Sequence, residues 1–158
     1  MFKAEVYSRR RKELREKMSS GVILFMGNQE ASMNYPANTY HFRQDSNFLY
    51  YFGLDHPDLA AVIDIDEDKD IIFGDDVDID SIIWMGFQPS MKERAAKVGV
   101  SNTEPFSKLE AFLKEVLSGG RKLHIPPQYR GKTMIQLDQL TGRSFKEFES
   151  EELIRAIV

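Results

Sequence analysis

The sequence predicts an α/β domain, a mixed β-sheet flanked by helices. Three observations carry that class. Val22-Ile23-Leu24-Phe25-Met26 is a run of five apolar residues, the pattern of a strand buried on both faces. Residues 59–65 and 70–73 are strand-like and are separated by Asp66-Glu67-Asp68-Lys69, which makes a hairpin and therefore an antiparallel pair. Helical segments with recognisable start and stop signals alternate with these strands, so helices pack on a mixed sheet.

The elements follow in order. Residues 3–18 lack Pro and Gly, and Tyr7, Leu14 and Met18 mark one thin apolar stripe of an amphipathic helix. The cluster Arg9-Arg10-Arg11-Lys12 within it reads as a solvated helix face. Ser19-Ser20-Gly21 ends the helix and the buried strand follows. Residues 27–38 read as a polar loop. Asp45 or Ser46 caps a short helical turn carrying Phe48, Leu49 and Phe52, which Gly53 ends. After the hairpin comes an acidic loop, 75–80, and then the short apolar stretch Ile82-Ile83-Trp84-Met85, closed by Gly86. Ser90 with Glu93 is a capping box opening a helix to about Val98, and Ser107 with Glu110 repeats the signature for a helix to about Leu117. Leu123-His124-Ile125 is a strand closed by Pro126-Pro127. A weaker helix covers 133–140, and residues 149–158 are helical again.

The bulk numbers suit one domain. The chain has 158 residues, 42% of them hydrophobic and 29% charged, with 11 Phe and 6 Tyr to build a core. A net charge of -4 gives no basic face for nucleic acid. There is no Cys, hence no disulfide framework and no thiolate chemistry. Met1-Phe2-Lys3-Ala4-Glu5 opens no signal-length apolar run, and the longest apolar stretch, 21–27, is too short to span a membrane. A cytoplasmic protein is expected. The final helix ends on Ile157-Val158 without a Gly, Pro or basic stop, which reads as a cut inside a connecting helix; the alternative is a C-terminal helix packed on the sheet.

Chemistry is sparse. The three histidines, His41, His56 and His124, stand in no metal-binding spacing, and the acids between Asp64 and Asp80 lack the alternation of a calcium loop. No phosphate-binding Gly-rich loop and no nucleophile elbow is present. No catalytic and no metal residue is expected in the chain. Arg43, Asp45 and Ser46 stand out between aromatic flanks. Either Arg43 and Asp45 pair or cap backbone groups to fix a loop, or the three present a polar edge to a ligand or partner. Trp84, the only Trp, is either core or an exposed interface anchor.

Phe42-Arg43-Gln44-Asp45-Ser46-Asn47-Phe48-Leu49-Tyr50-Tyr51-Phe52-Gly53-Leu54, followed by Pro57 and Ala60, resembles the signature of the N-terminal domain of Xaa-Pro aminopeptidases (aminopeptidase P) and prolidases. Ile83-Trp84-Met85-Gly86 is similar to the family's W-x-G segment, and Lys97-Val98-Gly99-Val100 to the turn that ends its next helix. The resemblance runs over nearly the whole chain. It implies a single N-terminal domain of the creatinase/prolidase kind, residues 1–158, preceding a catalytic "pita-bread" domain that carries five ligands around a dinuclear metal, often manganese, for two-metal hydrolysis of the bond before proline. It implies, too, that this domain mediates dimer or tetramer contacts and shapes the substrate entrance, with Trp84 reaching the neighbouring subunit's active site and Arg43, Asp45 and Ser46 on the entrance or interface. The partners expected are the chain's own C-terminal catalytic domain, other copies of itself and a proline-containing peptide substrate. An aminopeptidase and a prolidase-type dipeptidase stay open, as does a free-standing binding or assembly module of the same fold.

Overall fold

The structure, a computed structural model, describes residues 1–158. Five strands form one mixed sheet: β1 (Val22–Met26), β2 (Ala60–Asp64), β3 (Lys69–Phe73), β4 (Asn102–Glu104) and β5 (Leu123–His124), in the order β4-β3-β2-β1-β5. β1–β2 and β2–β3 pair antiparallel, whereas β5 joins β1 and β4 joins β3 in parallel. Every residue of β1 is buried, as its unbroken apolar run requires. Ile23 and Phe25 enter one core, and Val22, Leu24 and Met26 the other, because successive side chains of a strand point to opposite faces.

The first core is covered by α1 (Ala4–Glu16), α2 (Ser46–Phe52), α4 (Met91–Ala96) and α7 (Glu151–Ile157). The second lies under α5 (Leu109–Ser118), α6 (Gly131–Thr141) and a 3-10 turn, Phe145–Phe148. One helix, α3 (Ile79–Met85), buries nothing.

Four features depart from expectation. The acidic loop expected over 75–80 gives way after Asp78 to α3, which takes in the apolar stretch 82–85 and starts where the side chain of Asp78 accepts from the amide of Ser81 at 2.7 Å. Ser107 caps no helix: a 3-10 turn, Phe106–Lys108, set by Pro105, takes up the start, and the amide of Phe106 donates to Asp75 at 3.2 Å. β4 is polar and three residues long, so it carried no hydrophobic signal; it forms because its backbone completes the edge of β3.

The fourth correction is Arg11, which is not on a solvated face but 1% exposed. Its guanidinium donates to Asp70 Oδ2 (2.7 Å) and to the carbonyls of Tyr51 (2.8 Å), Val98 (3.0 Å) and Gly99 (3.1 Å). One planar fork thereby ties α1 to the end of α2, to β3 and to the turn after α4. Burial lowers its pKa and the Asp70 carboxylate opposes that shift. A signal was present: 7, 11, 14 and 18 are spaced as one helical stripe, and Arg11 occupies a core position of it.

Candidate functional site

At the end of β1 the chain turns at Gly27 and Asn28, makes a loop bridged between Ser32 and Thr39, and returns to α2. Asp45 is the N-cap of α2, where its Oδ1 accepts from the amide of Phe48 at 2.9 Å. Its second oxygen accepts from the hydroxyl of Tyr129 at 3.1 Å, which links α2 to the loop after β5. Asp45 therefore has two partners, and neither is Arg43. Arg43 is exposed and is held through its backbone, its carbonyl accepting from Asn28 Nδ2 at 2.8 Å. Ser46 is the exposed first residue of α2. Of the two caps expected for α2, the structure selects Asp45, and the expected Arg43–Asp45 pair is replaced by the Asp45–Tyr129 link. Burial raises the pKa of the Tyr129 hydroxyl, while a hydrogen bond with Asn28 works against that shift.

Sequence reasoning passed over the residue that organises this rim. Gln44 is 1% exposed. Its Oε1 accepts from the amides of Asn28 (2.6 Å) and Asp45 (3.0 Å), and its Nε2 donates to the carbonyls of His56 (2.7 Å) and Leu54 (3.3 Å). One side chain satisfies four backbone groups from the end of β1, the cap of α2 and the segment after it. The available clue was alternation: Phe42 and Gln44 stand two apart in an extended approach to the helix, so a polar residue falls on the inward side.

Asp45 and Tyr129 are joined directly, and Arg43 and Ser46 stand exposed on either side of them. Trp84 is not among the partners of any of them. It stands on α3, whose apolar side chains all face solvent: Ile79, Ile83, Met85 and Phe87 are exposed, and Trp84 is 89% exposed. The segment bearing α3 is anchored only at its base, where Asp75 accepts from Phe106 and Asp76 Oδ1 accepts from the amide of Met91 at 2.6 Å. Soluble monomers rarely expose contiguous apolar patches beyond about 300–600 Å². A Trp, a Phe and several aliphatic side chains on one arm constitute a surface that wants covering.

No three His, Asp or Glu side chains converge on one point. No helix is long and apolar enough to cross a membrane.

Comparison with known proteins gives concordant results. A probable Xaa-Pro aminopeptidase of Penicillium rubens is 27% identical over 151 residues, covering 87% of this chain and 30% of that protein. The Xaa-Pro aminopeptidase of Escherichia coli K12 is 26% identical over 116 residues, covering 72% and 26%. The solved low-pH form of E. coli aminopeptidase P superimposes with a TM-score of 0.73 at 23% identity over 89% of this chain and 32% of that one, and the same fold match extends to a zinc-substituted form of that enzyme in complex with product. The chain thus spans about a third or less of the length of the proteins it matches. The family model described as the N-terminal domain of aminopeptidase P matches residues 7–125, which hold all five strands and most of both cores. This chain belongs to the aminopeptidase P N-terminal domain family.

Proposed function

We propose that this chain is the non-catalytic N-terminal domain of a Xaa-Pro metalloaminopeptidase, which shapes the substrate entrance and makes subunit contacts. In the parent protein it precedes a catalytic domain that holds a dinuclear metal, manganese in this reading, and removes the N-terminal residue before a proline. The aminopeptidase reading is favoured over a prolidase-type dipeptidase by the names of the relatives, which are Xaa-Pro aminopeptidases. The observation that carries the interface role is α3: a capped, regular helix with no buried residue and with its Trp outermost. Exposed Trp residues of this kind are enriched among the hot spots of interfaces. Arg43, Ser46 and the Asp45–Tyr129 link form a second, polar edge suited to line the entrance, because Gln44 ties the backbone of Asp45 to the end of β1 and to the segment after α2.

The test compares the 158-residue chain with the parent protein on an Ala-Pro-initiated peptide. The parent should release alanine in a manganese-dependent way that a chelator stops, while the chain alone releases none. Chelator-sensitive turnover that follows the 158-residue chain through purification would defeat the assignment. Trp84→Ala in the parent should lower turnover at least about fivefold, as loss of an anchor worth over about 1 kcal/mol does, with the thermal midpoint unchanged. Unchanged turnover would remove Trp84 from the entrance.

A further inference from the structure

Two uncovered parts of the molecule leave the same end of the sheet. β1 ends at Met26, whose partner Ala60 opens β2, and Ala60 is paired in turn with Phe73 at the end of β3. β5 runs parallel to β1 and ends on the same side. The arm bearing α3, residues 74–90, therefore rises from β3 where the rim rises from β1 and β5. Two strand spacings, about 10 Å, separate β3 from β1. The rim comprises the hairpin 31–40, Arg43 and the segment 129–132. The hairpin is closed by the amide of Met33 donating to the carbonyl of Asn38 (2.8 Å) and that of Tyr40 to the carbonyl of Ala31 (2.9 Å), so its exposed rings stand on an ordered base.

The two surfaces are complementary in chemistry. The arm holds Asp75, Asp76, Asp78 and Asp80 and no Lys or Arg. The first three accept only from backbone amides, and Asp80 accepts from nothing. Four negative charges thus lead into the bare apolar helix. The rim offers Arg43, Arg130 and Lys132, none of them in an ion pair, against Glu30 and an Asp45 already held by Phe48 and Tyr129. Its exposed apolar surface is aromatic: Tyr35, Tyr40 and Tyr129 are 58%, 60% and 65% exposed. Such rings suit a Trp, which gains from aromatic partners beyond its burial. Within one chain the two surfaces do not meet, since α3 buries nothing. Across a two-fold axis they meet twice, because each patch of one copy faces the other patch of its mate.

We propose that the arm of one copy of this chain seats on the rim of a second copy, and the second copy's arm on the rim of the first. Trp84 packs among the tyrosines, and the carboxylates of the arm face Arg43, Arg130 and Lys132. The inference rests on the subunit-contact part of the proposed function and names the surface that is contacted.

Self-association of the 158-residue chain is followed by sedimentation equilibrium and by amide resonances as concentration rises. So small a pair of contacts should give a dimer with a Kd on the order of 100 μM, which is monomeric at the micromolar concentrations of fluorescence. The resonances that move with concentration should lie on the arm and the rim and spare α1 and α5. Asp80→Lys reverses the arm, and Arg43→Glu with Lys132→Glu reverses the rim, at exposed side chains that make no hydrogen bond. Each change alone should weaken the dimer at least about fivefold, because it sets like charges against each other. Mixed, the two variants should associate as tightly as the unaltered chain, since reversed arm meets reversed rim and the original patches meet as well. Should either variant fail to fold, raising the ionic strength from about 0.05 to 0.5 M on the unaltered chain reads the same charge dependence and should weaken the dimer severalfold. A chain that stays monomeric to about 1 mM, shifts that lie elsewhere, or reversed variants that dimerise undiminished or fail to restore each other would overturn the proposal. Turnover is no part of these readouts. A chain that fails them while Trp84→Ala still lowers turnover of the parent loses this contact and keeps the proposed function.

Discussion

Helices α2 and α3 are written in the same local code and have opposite fates. Each is seven residues long and each begins at an Asp whose side chain accepts from the amide three residues on. Each ends at a Gly with positive φ, Gly53 at 63° and Gly86 at 75°. Each is rich in large apolar residues. Yet α2 buries Phe48, Tyr51 and Phe52 in the first core, while α3 buries nothing. Caps and turns decide that a helix forms; they do not decide what it packs against. An apolar helix left bare on its own domain is the feature on which the proposed contact with a neighbouring subunit rests.

The sharpest way to break the comparison is to truncate one large side chain in each helix. Phe52→Ala should cost about 3–5 kcal/mol, because Phe52 is fully buried against Phe25 and Phe48. Trp84→Ala should shift the denaturation midpoint of the 158-residue chain by no more than about 0.5 kcal/mol. Similar losses in urea melts of the two variants would mean that α3 is packed after all.

The terminal glycines give the next contrast. An added Cβ at Gly53 would lie 2.2 Å from Cζ of Tyr7, on top of the positive φ, whereas at Gly86 it would meet nothing within 4 Å. Gly86→Ala should cost on the order of 1–3 kcal/mol of backbone strain, because φ 75° with ψ -175° is a conformation almost reserved for glycine, and the loss is confined to the exit of α3. Gly53→Ala must add the displacement of a core tyrosine and should cost clearly more. Equal thermal shifts would show that strain alone sets both.

The caps come third. Asp45→Ala should cost about 0.5–2 kcal/mol by removing the cap of α2, and Arg43→Ala should stay within about 0.5 kcal/mol because Arg43 has no ion pair to lose. If Arg43→Ala proved as costly as Asp45→Ala, an ion pair between them would have to be reinstated. Asp78→Ala should fray α3, visible as faster amide exchange at Ser81, while leaving the global midpoint in place.

The smallest effect is one of pH. Burial, and then the charge of Arg94, lower the pKa of His56, so the folded state prefers neutral imidazole. The unfolded chain then binds the proton first. Stability is full above the ordinary imidazole range and declines as pH falls through it towards the lowered folded value. Asp66 and Glu152 act further down. Backbone donors, Gly21 and Ser19 respectively, lower their pKa values, so their contributions hold above the ordinary carboxylate range and vanish as pH falls through it. His56→Asn should flatten the melting profile between about pH 7 and 5 and leave the more acidic slope unchanged. An unaltered profile would mean that His56 titrates alike in both states.

Much of the fold was legible because hydrophobic period and cap chemistry are local signals. The buried run of β1, the hairpin, Asp45 with Gly53, and the Ser90–Glu93 box all stand where their residues imply. What escaped depends on residues far apart in sequence. β4 exists through its pairing with β3, and the partners of Arg11 lie up to 88 positions away. The rim was half legible. The sequence singles out Arg43, Asp45 and Ser46 by their polarity among aromatics, but the residue that holds them, Gln44, is known only by four backbone groups that the fold brings within its reach.

Helix α3 is bare in this domain and, in the proposed assembly, covered, and the single Trp of the chain reads that difference directly. Acrylamide quenching of Trp84 is measured in the 158-residue chain, and again in the parent protein with any other tryptophans replaced by phenylalanine. In the chain, emission should be red-shifted and freely quenched; in the assembled parent, it should be shielded and blue-shifted. A shielded Trp84 in the isolated chain, or one equally open in both, would contradict the account.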